Sequence, residues 1–272
     1  GVGLTPDNQA AIDFLGKLYG KVDANGNFAA GSGSFAHTSG ISNYNGSYST
    51  ALGIQSLALI SGNAHRNTAV GYRAMYGDST GIEGTDNTAV GASSMLNIKD
   101  GQYNVAVGVN ALQNVTDGGS NVAIGVNAGK DLTTASTNTL MGLNAGENIT
   151  TGGSNNAFGY EALYLNTTGI GNIALGTGSL RTNTTGGNNV AIGINSLLSN
   201  TTASNNTAVG SDALAANTTA SFNIAVGRNA VPSNTTGQYN IGIGYTSLNT
   251  NTTGNQNNAV GVAALYSNTT AQ

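Results

Sequence analysis

From Thr50 onward the chain repeats one arrangement of apolar and polar positions. In "NNVAIGINSLLSNTTAS" (188–204), Val190, Ile192 and Ile194 alternate with Ala191 and Gly193. Alternation of this kind is the period-two signature of a strand that carries β-branched side chains on one face. The glycine that closes "TAVG", "VAIG" or "IALG" marks each copy: Gly53, Gly71, Gly91, Gly108, Gly125, Gly142, Gly159, Gly176, Gly193, Gly210, Gly227, Gly244 and Gly261. The first two steps are 18 and 20 residues, and the next ten are all 17. Independent loops have no reason to keep a period, whereas stacked units that bury their core only against one another do. The pattern predicts a strand, a bend at the glycine, a second short strand around Ser196 and Leu197, and a corner at "NTT". That is one flattened coil of an all-β parallel β-roll, or β-solenoid, of about thirteen coils. At about 4.8 Å per coil the stack would be some 60 Å long. Asn, Thr and Gly are poor helix formers, and 17 residues leave too little chain for a helix pair.

Two asparagine columns accompany the strands. Asn67, Asn87, Asn104, Asn121, Asn138, Asn155, Asn172, Asn189, Asn206, Asn223, Asn240 and Asn257 each stand four residues before a marker glycine. Stacked, they can bond amide to amide as a ladder and turn the backbone where the strand begins. Asn166, Asn183, Asn200, Asn217, Asn234, Asn251 and Asn268 open the "NTT" corners, where asparagine tolerates left-handed geometry. Each also heads an N-x-T sequon. On exposed corners of a secreted protein these seven would be candidate glycan acceptors.

The residue before the glycine, such as Ile192, is expected to fill the coil interior together with Leu112, Leu163, Leu180, Leu197, Leu214, Leu248 and Leu265. The alanine two before the glycine, replaced only by Leu140 and Gly242, would form with the glycines a smooth strip for a neighbouring chain.

The N-terminal segment, 1–48, differs from the repeat domain, 49–272. Thr5 as N-cap, Pro6 at the first helical position, and Ala11, Phe14, Leu15 and Leu18 on one face predict a short amphipathic helix over 5–19. It would cap the first coil or dock on a virion or cell-surface anchor. "VDANGNF" predicts a tight turn at Asn25 and Gly26.

Composition narrows the function. Only 7% of residues are charged, against about a quarter in an ordinary soluble domain, and 41 are glycine. Eight Lys and Arg against twelve Asp and Glu leave no basic stripe for nucleic acid. No cysteine is present, and no apolar run, "SLALI" at 56–60 included, approaches the length needed to cross a membrane. The chain begins with Gly1, which leaves room for a leader, a pro-segment or further protein upstream. His37 and His65 have no carboxylate at a suggestive spacing, Asp7, Asp13, Asp23 and Asp78 do not recur with the coils, and no calcium-binding nonapeptide is found. From residue 151 onward only Glu161, Arg181, Asp212 and Arg228 carry charge, too few for acid and base chemistry. No catalytic, metal or cofactor residues are predicted, and no enzymatic activity.

At "NVAIGVNA" (121–128), "NVAIGINS" (189–196) and "NTAVGSDA" (206–213) the chain resembles the head repeats of YadA-like trimeric autotransporter adhesins. It is similar also to β-roll segments of phage tail fibres, in which "NTAVG", "AL" and "NTTG" follow in the same order. The resemblance covers about residues 49–272. It implies a left-handed β-roll, assembly as a homotrimer, and an extracellular role in attachment, with surface glycans as possible ligands. The unit here is longer than the usual adhesin repeat, by the "NTT" corner, and neither stalk nor anchor follows before Gln272. Tyr72, Tyr160 and Tyr245 could stack on sugars or simply enlarge a column otherwise made of Val, Leu and Ile. A secreted, glycosylated, self-assembling filament is the alternative. An ice-binding solenoid using the Thr columns at 167, 184, 201, 218, 235, 252 and 269 is the weakest reading, since it would need a flat strand where these residues form a corner.

Overall fold

The computed structural model describes residues 21–22, 26–32, 34, 47–61, 64–77 and 81–270. The helix and anchor expected over 5–19 lie outside these residues, as does His37. The described chain is all-β, a β-solenoid of about twelve turns with no helix among the described residues. Two compact units divide it, Gly1–Ser120 and Asn121–Gln272.

In the first unit β1 (Lys21–Val22) pairs antiparallel with β2 (Phe28–Ala30). Parallel pairing then runs from β2 through β3 (Thr50–Leu52), β4 (Thr68–Val70) and β5 (Thr88–Val90) to β6 (Val105–Val107). In the second unit parallel pairing is continuous through β7 (Val122–Ile124), β8 (Thr139–Met141), β9 (Asn156–Phe158), β10 (Ile173–Leu175), β11 (Val190–Ile192), β12 (Thr207–Val209), β13 (Ile224–Val226), β14 (Ile241–Ile243) and β15 (Asn258–Val260). Each of β2 to β15 has three residues, and equivalent residues of adjacent copies face each other, Ala174 opposite Ala191 and Ala191 opposite Ala208.

The marker glycines bend the chain where no other residue fits. All thirteen hold φ between +126° and +141°, a region closed to L side chains. A β-carbon on Gly193 would also lie 2.6 Å from the carbonyl oxygen of Gly210. Gly31 shares this geometry at φ +134°. "NFAAG" (27–31) is therefore a full rung, with Asn27 accepting the Ser49 N–H at 2.8 Å. Repeat geometry thus begins inside the segment 1–48, earlier than the degenerate spacing there suggests.

The second strand expected around Ser196 and Leu197 does not form. Asn195 and Leu197 adopt left-handed φ of +56° and +51°, alternating with ordinary residues. The alternation divides the N–H groups between two directions. Those of Leu197, Ser199 and Thr201 donate to Ala213, Ala215 and Thr218 in the next coil, while those of Ser196, Leu198 and Asn200 donate to Gly193, Asn195 and Leu197 in their own. The long side of the coil thus stacks by hydrogen bonds without being a strand.

The interior is the reverse of the expected one on the strand side. Ala123, Ala157, Ala174, Ala191, Ala208 and Ala225 are completely buried, whereas the flanking residues are half-buried or exposed. Ile192 points outward, and the alanine strip lies inside. The reason is width: the leucines of the opposite side, Leu163, Leu180, Leu197 and Leu214, are also fully buried and occupy the narrow lumen, so only a methyl group fits across from them. The exceptions follow the same rule. Where Leu140 replaces alanine, the leucine position is Gly146, whose added β-carbon would lie 2.8 Å from Leu140. Where Gly242 does, a β-carbon would lie 2.4 Å from Val231. Leu265, in the last described coil, is exposed.

The first asparagine column forms the ladder expected of it. Asn189 donates its backbone N–H and its side-chain amide to Asn172 Oδ1 at 3.0 and 3.1 Å, and its own Oδ1 accepts the N–H of Asn206 at 3.0 Å. Its Nδ2 also reaches the carbonyl of Ala203 at 2.8 Å, tying the strand to the opposite corner. Asn189→Ala would strand these buried partners at about 1–3 kcal/mol for each group left unsatisfied. Its thermal midpoint should fall by several degrees, while Thr202→Ala at an exposed corner position should leave it unchanged. Equal melting of the two variants by circular dichroism would contradict the ladder's role.

Candidate functional site

The corner asparagines are placed differently from the exposed turns predicted. Asn166, Asn183, Asn200, Asn217, Asn234 and Asn251 are fully buried, and they build a second ladder. Asn183 Nδ2 donates to Asn166 Oδ1 at 2.7 Å, and Asn200 Nδ2 to Asn183 Oδ1 at 2.8 Å. Each Nδ2 also donates to the carbonyl three residues on, Asn183 to Gly186 at 2.9 Å. That carbonyl already accepts Asn172 Nδ2, likewise at 2.9 Å. Both lone pairs of one oxygen therefore serve both ladders, and the arrangement recurs at Gly169, Ala203, Ala220, Gly237 and Gly254. The amide nitrogens that a glycan would need point into the fold, so exposed acceptor sites are absent at these six positions. In the last described coil the second ladder ends: Asn268 is half-buried, and its Nδ2 and the Oδ1 of Asn251 have no hydrogen-bond partner among the described residues.

The threonines that follow are also used internally. Thr167, Thr184, Thr201, Thr218 and Thr235 each donate their hydroxyl to the carbonyl of the equivalent threonine in the next coil, at 3.0–3.2 Å. They are half-buried, which removes the regular hydroxyl surface that an ice-binding reading requires.

What the coils present to solvent is an apolar face. With Ala191 inside, Val190 and Ile192 point out, and Ile194 continues the outward row past the glycine bend. In the second unit the three columns include Ile173, Leu175, Ile224 and Val226, with Val126, Leu143, Tyr160, Ile194 and Tyr245 beyond the bend. Leu175 is 45% and Ile194 55% exposed. Nine strands about 4.8 Å apart, and a width of about four residues, give a face of on the order of 500 Å² in projection, mainly apolar but interrupted by Thr139, Asn156, Thr177, Thr207, Ser211, Arg228 and Asn258. Tyr160 and Tyr245 belong to the outward column; neither fills a core.

Apart from Arg228, which stands in the outward column itself, charge in the second unit lies beside this face, and most of it is internally paired. Lys130 Nζ is 3.6 Å from Glu147 and 4.0 Å from Asp131, and Arg181 pairs with Glu161. The Arg181 hydrogen bond, helped by that from the Tyr160 hydroxyl and opposed by burial, holds the Glu161 carboxyl below its ordinary value. Its hydrogen bond to Glu161 raises the Tyr160 hydroxyl in turn. In the first unit Arg66 binds Asp86 through two bonds of 2.6 and 2.8 Å, and Asp86 is lowered accordingly. His65 Nδ1 accepts the Ser47 N–H at 3.0 Å. Among the described residues no group of three or more His, Cys, Asp or Glu could hold a metal, and no helix is long and apolar enough to cross a membrane.

No family model, curated protein or solved structure matches the chain.

A folded-state carboxyl held low contributes stability above its unfolded value that is lost as pH falls through the folded one. The Glu161–Arg181 pair should therefore stabilise the coils at neutral pH by up to about 1 kcal/mol, and lose this below the ordinary glutamate range near pH 4.3. Melting of Glu161→Gln should be lower than wild type at pH 7 and converge with it at pH 3. A constant difference across that range would contradict the assignment.

Proposed function

We propose that this chain is a non-enzymatic structural fibre protein, the β-roll shaft or head of a viral tail fibre or surface adhesin used for attachment. It works outside the cell as an assembly of identical chains. The single observation that carries this reading is the outward apolar face of β7–β15. Nonpolar columns of this extent are stable in water when covered, and identical chains present identical, regularly spaced columns to one another. In the second unit the coils are joined by parallel pairing and two amide ladders, which favours a stiff stack. Rods suit spacing and display, and the scarcity of charge beside the face favours a tightly packed contact between chains. The number three and the extracellular setting follow from the resemblance to adhesin heads and tail fibres.

Sedimentation equilibrium at micromolar concentration should give a species near three times the 27.0 kDa chain mass. Ile192→Asp should dissociate it while leaving the circular dichroism spectrum unchanged, because the side chain faces outward. Ala191→Asp should unfold the neighbouring coils, since a buried unpaired charge costs several kcal/mol. A lone 27.0 kDa species for wild type would overturn the reading.

A further inference from the structure

The outward face poses a problem for any chain that assembles through it. Its central column, from Ile124 through Ile192 to Val260, is apolar in every coil, so two copies slid past each other by one coil, about 4.8 Å, bury nearly the same apolar surface along it. Apolar burial alone selects no register. Something that occurs once has to do so.

The second unit holds seven charged side chains, Lys130, Asp131, Glu147, Glu161, Arg181, Asp212 and Arg228. The first five are in ion pairs within the chain. Asp212 and Arg228 are left, one of each sign, and neither is in an ion pair with any described residue. They occupy adjacent coils. Arg228 follows Gly227 directly and stands exposed in the outward column, between Ser211 and Tyr245. Asp212 is half-exposed beside that column; Ser211 Oγ donates to its Oδ2 at 2.9 Å and Asn195 Nδ2 to its Oδ1 at 3.4 Å. Those two bonds hold the carboxylate in place and leave it acceptor capacity.

We propose that Arg228 of one copy pairs with Asp212 of a neighbouring copy, and that this pair sets the register of the assembly. The inference rests on the proposed assembly through the outward face. Covering that face would strip water from Arg228, and an isolated buried guanidinium is strongly unfavourable. Among the described residues of the second unit, Asp212 is the one carboxylate side chain not already paired with a cation. An arginine side chain is long enough to cross one coil step of about 4.8 Å. A slide of one coil that carries the two charges apart puts roughly 10 Å between them and leaves both unpaired, so the pair blocks sliding in that direction. One polar contact thereby breaks the degeneracy of a repeating apolar seam, as a single buried polar residue does in coiled coils.

The test compares wild type, Arg228→Asp, Asp212→Arg and the double exchange Asp212→Arg/Arg228→Asp by sedimentation equilibrium, with circular dichroism on each. All four should keep the same spectrum, since both positions lie at the surface. Each single reversal should weaken assembly by about tenfold or more, and the double exchange should restore it to within about threefold of wild type. If wild type assembles and the single reversals assemble equally well, or the double exchange fails to recover what they lose, the pairing is wrong and the assembly reading stands. If wild type is a monomer, the assembly reading falls and the pairing with it.

Discussion

One hydrogen-bonding requirement organises the molecule: a buried asparagine amide in each coil must be satisfied by the coils on either side. The Oδ1 of Asn189 takes the N–H of Asn206, while its own N–H and Nδ2 go to Asn172 and across the coil to Ala203. A buried amide left short of a partner is expensive, so each coil is stable only at the height and rotation its neighbours dictate. The constant 17-residue step, the in-register strands and the glycine bend all serve this stacking. So does the second ladder, in which the Gly186 carbonyl accepts Asn172 and Asn183 together. A thin interior of alanine and leucine then suffices, because the polar groups that would ordinarily make a narrow core unstable are paired within it.

The outward face is the consequence. A lumen wide enough for only one large side chain gives that space to Leu197 and its equivalents, which leaves Ala191 inside and sends Val190 and Ile192 to the surface. Pairing between coils holds those columns in register and evenly spaced. A stack held in register and an outward, mainly apolar surface thus arise from the same constraint.

Much of the fold is readable in the sequence because backbone geometry writes itself at fixed positions. Glycines at a constant step mark a φ that no other residue tolerates, and the asparagines four before them stack. The parity of the strand is not readable. In "NVAIG" the larger residues look like the interior ones, yet which face is buried depends on lumen width. That width is set by Leu197, seven residues after Val190 on the opposite side of the coil, and not by the strand itself. The corner misleads for a related reason. "NTT" has the composition of a surface turn, and nothing local shows that a single carbonyl will draw Asn183 and Asn172 inward together. The second strand is missing because left-handed residues such as Asn195 and Leu197 can also stack by hydrogen bonds. The rung at Asn27–Gly31 is spelled out in "NFAAG" but obscured by its 22-residue step to Gly53.

The ladder is tested most directly by hydrogen exchange of the backbone N–H groups of Asn155, Asn172, Asn189, Asn206 and Asn223, each of which donates to the side chain of the asparagine one coil earlier. They should be among the slowest in the chain, opening only when coils separate, with protection reaching that of the neighbouring strand amides. Exchange of these five as fast as that of exposed corner residues such as Thr202 and Thr219 would contradict the ladder as the interaction on which the solenoid depends.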